Sequence, residues 1–137
     1  MSTTYNIAEN KNLVRKFYEE CINIADLDSL RKLISDDFVV SPGEKGADDF
    51  VNSIAAVLSG FPNVQFQIDD LFAEGDRVAV RWIFHATHNG TFSGVTASNA
   101  QVTQTGNVIF QIGHGKITRA WAQVDRLGLL QQIGGQT

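Results

Sequence analysis

The apolar residues change their period once along the 137-residue chain, and this change constrains the fold more than any other feature. Before residues 61–63, apolar side chains recur with the spacing of amphipathic helices. After residues 61–63, apolar and polar side chains alternate, as they do on half-buried strands. A helical segment that is followed by strands joined through short turns predicts an α+β fold.

The helical part predicts three helices and one short strand. The helices cover roughly residues 7–25, the segment after Asp26 and residues 47–58. Asn6 stands three positions before Glu9, which is the spacing of an N-terminal cap. Two aspartates at 36–37 are expected to end the second helix, and residues 38–40 read as a short strand.

The alternating part predicts long strands and a closing helical turn. The strands cover roughly residues 64–68, 78–86, 101–112 and 116–125, and the helical turn covers 127–133. Their length and apolar inner faces predict a strongly bent antiparallel sheet that wraps around the first helix as a cone. The open end of such a cone encloses a cavity, which is a common place for a small-molecule site.

Composition excludes several classes of protein. Eleven Lys and Arg against 15 Asp and Glu give a net charge of −4, which argues against nucleic acid as a partner. Cys21 is the only cysteine, so a disulfide scaffold is excluded. No apolar run has membrane-spanning length and no leader peptide is recognised, so we expect one domain over residues 1–137 in the cytoplasm.

Four segments carry a family resemblance that extends over nearly the whole chain: residues 12–20, 73–82, 87–92 and 125–134. In order and spacing they resemble the SnoaL-like polyketide cyclase (ester cyclase) family of the nuclear transport factor 2-like superfamily. The resemblance implies a cone-shaped, cystatin-like α+β barrel, a deep apolar pocket and a homodimer formed through the sheet. It implies no cofactor and does not name one reaction, because the superfamily contains enzymes and non-enzymes.

The resemblance also assigns positions in the cone. Cyclases of this family use an inward Asp on the last strand and an inward His on the strand before it, and these positions correspond to Ala122 and Val108 here. Neither residue can carry a proton. Ketosteroid isomerases are similar in having a tyrosine on the first helix, which matches Tyr18, whereas their catalytic Asp before a proline corresponds to Ser41.

Three residues remain as candidates for catalysis, and each has a structural alternative. Tyr18 is either a phenol donor at the pocket floor or a core tyrosine bonded to a backbone carbonyl. His88 is either a proton carrier or a histidine that holds the loop at 90–94. Asp70 is either a buried base with a raised pKa or a carboxylate that a strand bulge turns to water.

Other residues are predicted to contact a ligand. They are Phe17, Trp82, Phe84, Gln104, Val108 and Ala122. Asp125 is read as the cap of the last helical turn. No metal site is expected, because His85 and His88 stand three positions apart on a strand and therefore point to opposite faces.

Three hypotheses for function follow. The first is a cofactor-independent cyclase, isomerase or dehydratase that acts on an apolar, carbonyl-bearing small molecule. The second is a protein that binds such a molecule without chemistry, which the residues at positions 108 and 122 favour. The third is a dimerisation module, whose sheet would have an apolar outer face.

Overall fold

The computed structural model describes residues 5–134, and that part of the chain contains four α-helices and six strands. The helices are α1 (Ile7–Lys16), α2 (Leu27–Leu33), α3 (Ala47–Gly60) and α4 (Arg126–Gln132). The strands are β1 (Ile34–Ser41), β2 (Lys45–Gly46), β3 (Gln65–Glu74), β4 (Arg77–Thr87), β5 (Gln101–Gly113) and β6 (Lys116–Val124).

The strands form one curved sheet in the order β2-β1-β6-β5-β4-β3, which confirms the predicted α+β fold. The sheet is not closed, because its edge strands β2 and β3 do not pair with each other. Every neighbouring pair is antiparallel except β1 and β6, which run parallel. A parallel pair needs a long crossover, and here the whole segment between β1 and β6 provides it.

The first helix ends earlier and is wider than the sequence predicts. After α1, Phe17–Ile22 continues as a π-helix, in which the backbone N–H of Asn23 donates to the Tyr18 carbonyl at 2.8 Å. The capping bond predicted at its start is present, since the Asn6 side chain accepts from the Glu9 backbone N–H at 3.0 Å. The π-helix turns two adjacent residues, Phe17 and Tyr18, into the core together.

The prediction that the aspartates at 36–37 end the second helix is wrong. That helix already ends at Leu33, and both aspartates lie exposed within β1. The register of β1 against β6 shifts between Ile34 and Val39, so the strand contains an irregularity where both carboxylates reach water. Asp36 also lies 3.0 Å from the Arg31 guanidinium.

The inner face of the sheet has the alternation that the sequence predicts. On β4, the buried side chains are those of Val78, Val80, Trp82, Phe84 and Ala86. Helix α1 and its π-helical continuation pack against β3 and β4 and cover this face. In the described part of the chain, no helix combines the length and apolar character needed to cross a bilayer.

We predict that Gly106→Ala destabilises the protein. Gly106 on β5 lies opposite Trp82, and an added methyl group would overlap the buried indole ring. Overpacking of this kind costs about 1–3 kcal/mol of unfolding free energy. Chemical denaturation measures the loss. Gly46→Ala is the control, since its new methyl group would meet only the Phe38 carbonyl at 4.0 Å. Equal stability of the two variants would contradict the prediction.

Candidate functional site

A cavity of about 720 Å³ lies between the inner face of the sheet and the helices. Its wall is mainly apolar, with side chains from the π-helix, α3, the start of α4 and all six strands. One predicted catalytic residue and all six predicted ligand contacts line the cavity. They are Tyr18, Phe17, Trp82, Phe84, Gln104, Val108 and Ala122.

Tyr18 and Trp82 form a hydrogen bond at the cavity wall. The indole Nε1–H of Trp82 donates to the Tyr18 hydroxyl oxygen at 3.1 Å, and both side chains are buried. Burial raises the pKa of the Tyr18 hydroxyl far above its ordinary value, and the hydrogen bond from Trp82 opposes this shift in part. Tyr18 therefore stays protonated at neutral pH, and its own O–H has no acceptor among the described residues.

The second polar pair in the cavity is Gln104 and Arg126. The Arg126 Nε–H donates to Gln104 Oε1 at 3.0 Å, and the guanidinium lies 5.0 Å above the centre of the Phe92 ring. Gln104 is buried and lies on the inner face, opposite Phe84 of β4. Because arginine only donates, this bond points the amide oxygen of Gln104 at Arg126 and its NH₂ group away.

Sequence reasoning missed Arg126. It belongs to the segment at 125–134 that carries the family resemblance, but only its neighbour Asp125 was interpreted. That interpretation is confirmed, because the Asp125 carboxylate caps α4 by accepting from the Gly128 backbone N–H at 2.9 Å. The cap fixes where α4 begins and thereby sets Arg126, its first residue, against the cavity.

The two positions that correspond to the cyclase acid and base face each other. Val108 on β5 pairs with Ala122 on β6, and both line the cavity. Val80 of β4 lies on the other side of Val108 in the same row of the sheet. An apolar row therefore stands where the family resemblance puts proton-transfer groups.

His88 does not line the cavity. Its ring is fully buried, with Nδ1 accepting from the Ser98 backbone N–H at 3.1 Å and lying 2.9 Å from the Ser98 hydroxyl. The proton is thus on Nε2, which has no partner in the described part of the chain. These contacts are structural, and they hold the loop at Ser98 rather than at the predicted residues 90–94.

Asp70 lies on the outer face of the sheet, away from Tyr18. The register of β3 against β4 shifts between Ile68 and Asp70, which confirms the bulge alternative. The Asp70 carboxylate lies 2.6 Å from the Arg81 guanidinium and is about two-fifths exposed, at 42%. The structure therefore does not bring Asp70 together with the other predicted catalytic residues.

The charged side chains that line the cavity are both positive. Among the described residues that line it, the ionisable ones are Tyr18, Lys45 and Arg126. None of these lining residues is an Asp, Glu or His. Desolvation lowers the pKa of the Arg126 guanidinium, yet arginine keeps its charge at neutral pH. Within residues 5–134, no three His, Cys, Asp or Glu side chains meet as metal ligands would.

Comparison with known proteins extends these findings. AclR from Streptomyces galilaeus, a proposed hydroxylase, is 30% identical with a TM-score of 0.88, covering 94% of this chain and 98% of its own. A proposed SnoaL-like polyketide cyclase from Jannaschia Sp. CCS1 is 19% identical with a TM-score of 0.85. The match covers 100% of this chain and 99% of that protein. IdmH from Streptomyces antibioticus, a proposed polyketide cyclase, is 23% identical with a TM-score of 0.79. The match covers 91% of this chain and 98% of IdmH.

No curated protein matches the chain significantly. The family described as SnoaL-like polyketide cyclase, by contrast, matches residues 12–133. These residues include every element from the second half of α1 to α4, and with them both polar pairs of the cavity. The chain therefore belongs to the SnoaL-like polyketide cyclase family.

Proposed function

We propose that the protein binds an apolar, carbonyl-bearing small molecule in the cavity and polarises the carbonyl through the Tyr18 hydroxyl. The observation that carries this proposal is the Tyr18–Trp82 pair. Trp82 occupies a lone pair of the hydroxyl oxygen, so the hydroxyl proton is left for an acceptor on the ligand. A donor that itself accepts a hydrogen bond is a stronger donor, because successive bonds polarise one another.

The surroundings of Tyr18 support an apolar ligand body. Phe66 lies edge-on to Trp82 with ring centres 4.6 Å apart, and Phe84 stacks parallel to Trp82 at 6.3 Å. The volume of about 720 Å³ lies in the range of small-molecule sites. In this apolar surrounding a hydrogen bond to a ligand carbonyl is stronger than in water.

The missing base limits the chemistry of this proposal. A carbanion-type ring closure requires a group that removes a proton from carbon, and a raised-pKa carboxylate or a histidine usually does so. No described residue that lines the cavity is of either kind. Tyr18 would thus stabilise negative charge on the carbonyl oxygen of the substrate. Any proton transfer would take place without a carboxylate or imidazole from the cavity wall.

The same absence of acid and base favours a second candidate function, binding without turnover. The cavity would then hold the same class of ligand, with Tyr18 fixing its orientation. The described activities of the solved relatives include a cyclase and a hydroxylase, so their names do not select one reaction.

We also propose that the protein forms a homodimer through the outer face of the sheet. A shallow depression of about 580 Å³ lies there, and Phe72, Ile109 and Trp121 contribute to its wall. Phe72 and Ile109 are exposed, at 67% and 45%. Exposed apolar side chains on one continuous face are typical of an interface between subunits.

Replacement of Tyr18 by Phe is expected to weaken binding of a neutral aromatic ketone such as 2-acetylnaphthalene. The variant loses one hydrogen bond to the carbonyl, which corresponds to about a fivefold rise in Kd. Titration followed by ¹H–¹⁵N NMR measures this, because the indole peak of Trp82 should move while that of Trp121 on the outer face should not. The infrared carbonyl band of the bound ketone should lie at lower wavenumber in wild type than in Tyr18→Phe.

Tyr5→Phe is the matched control, since it removes the same hydroxyl from the other tyrosine of the chain, which is exposed. It should bind as wild type does. Equal affinity and an equal carbonyl frequency in wild type and Tyr18→Phe would remove Tyr18 from the proposal.

An aspartate at position 122 should titrate as a buried carboxyl group. Position 122 faces Val108 and lines the mainly apolar cavity, so desolvation should raise the pKa of Asp in Ala122→Asp by about one unit, against the opposing effect of the cavity cations Lys45 and Arg126. A pKa raised in the folded state stabilises the protein at low pH, so unfolding free energy should fall as pH rises through that pKa. Carboxyl ¹³C NMR titration gives the pKa. Thr105→Asp, at an exposed position of β5 outside the cavity lining, should titrate at the ordinary value.

The dimer proposal predicts that Ile109→Asp is monomeric at concentrations where the wild type is dimeric, because a buried unpaired carboxylate would oppose association. Light scattering coupled to gel filtration measures the mass of each. Ile24→Asp, at an exposed residue that follows the π-helix, is the control and should stay dimeric. A monomeric wild type at micromolar concentration would refute the dimer.

A further inference from the structure

We propose that the ligand of the cavity carries a carboxylate, which Arg126 binds while Tyr18 donates to the carbonyl. The inference rests on the proposed function and specifies its ligand as an apolar keto acid or a similar anionic carbonyl compound. Three observations on the described residues lead to it: the sign of the cavity charges, the unpaired state of Arg126 and the way its guanidinium is held.

The first observation is the distribution of charge. The whole chain has four more acidic than basic residues, 15 against 11. The described residues that line the cavity nevertheless include two cations, Lys45 and Arg126, and no carboxylate. Since the surface as a whole is acidic, this reversal gives the cavity a positive potential that favours an anionic ligand.

The second observation is that Arg126 lacks an acidic partner. Among the described ion pairs, four arginines bind carboxylates: Arg31, Arg77, Arg81 and Arg119. The side chains of those four arginines are all partly exposed. Arg126 is more strongly desolvated and makes no ion pair within residues 5–134. A half-buried cation without an internal counter-ion is costly, and a carboxylate on the ligand would lower that cost.

The third observation is how the guanidinium is held. Its Nε–H is bound to Gln104 at 3.0 Å, and its Cζ lies 5.0 Å over the centre of the Phe92 ring. Both terminal NH₂ groups have no protein acceptor in the described part of the chain. Two parallel N–H groups on a fixed plane match the two oxygens of a carboxylate. Gln104 is therefore a positioning residue, since it holds Arg126 and does not itself bind the carboxylate.

The two polar pairs lie against neighbouring positions of the same strand. Trp82 holds Tyr18 and pairs with Gly106, whereas Arg126 is held by Gln104 on the same strand. Gly106 and Gln104 are two residues apart, so the strand positions behind the two pairs are about 7 Å apart. A carbonyl at Tyr18 and a carboxylate at Arg126 can thus belong to one small molecule, with a few carbon atoms between them.

The test compares two probes that differ in one charge, 5-oxo-5-phenylpentanoic acid and its methyl ester. Each is titrated into the wild-type protein at low ionic strength, and the Trp82 indole peak reports binding. We expect the acid to bind about tenfold more tightly than the ester, as a charge-assisted hydrogen bond pair would give. In Arg126→Gln, the ratio of the two Kd values should fall to about one.

Arg15→Gln is the matched control, because it removes the same charge from α1 at a residue that does not line the cavity, and should keep the wild-type ratio. Gln104→Glu provides a second variant if Arg126→Gln does not fold. Its carboxylate would pair with Arg126 from inside the protein, so the preference for the acid should again disappear.

Each result decides between the proposals. If the wild type binds the ester as tightly as the acid, the carboxylate inference is overturned and the proposed function stands. If neither probe moves the Trp82 peak, both are overturned. If folded Arg126→Gln keeps the preference for the acid, another group binds the carboxylate and the role of Arg126 is refuted.

Discussion

The hydrogen bond from Trp82 to the Tyr18 hydroxyl is the contact on which the inner architecture depends. It joins the π-helix to β4 of the sheet within the apolar core. Its geometry requires the indole ring to lie flat over β5, which is possible because Gly106 has no side chain there. Without that gap the ring, the phenol and the cavity wall beside them would all be displaced.

A second constraint is electrostatic. A polar group in an apolar cavity wall is costly unless it has a hydrogen-bond partner. Trp82 holds Tyr18 and Gln104 holds Arg126, and both arrangements leave hydrogen-bond donors, rather than acceptors, for a ligand. The pattern suits carbonyl and carboxylate oxygens. It differs from the acid and base positions that the family resemblance implies, where Val108 and Ala122 stand here.

Much of the fold could be predicted because burial imposes a period on each element. The inward residues of β4, the N-terminal cap at Asn6 and the cap at Asp125 all follow from local pattern and local hydrogen bonding. The errors lie where long-range contacts override local preference. The strand β1 begins at Ile34, because pairing with β6 and burial of Phe38 compensate for two aspartates that disfavour a strand.

The candidate site also has a part that could be predicted from local pattern and a part that could not. By itself the sequence determined which residues face inward, since strand alternation and the helical stripe put Phe17, Tyr18 and Trp82 on apolar faces. Only the tertiary structure decided which of the polar candidates meet. A bulge turned Asp70 to solvent, a loop enclosed His88, and the start of α4 brought Arg126 to Gln104. A one-residue shift reverses the face of every following side chain, and such shifts depend on pairing between distant segments, which local pattern does not encode.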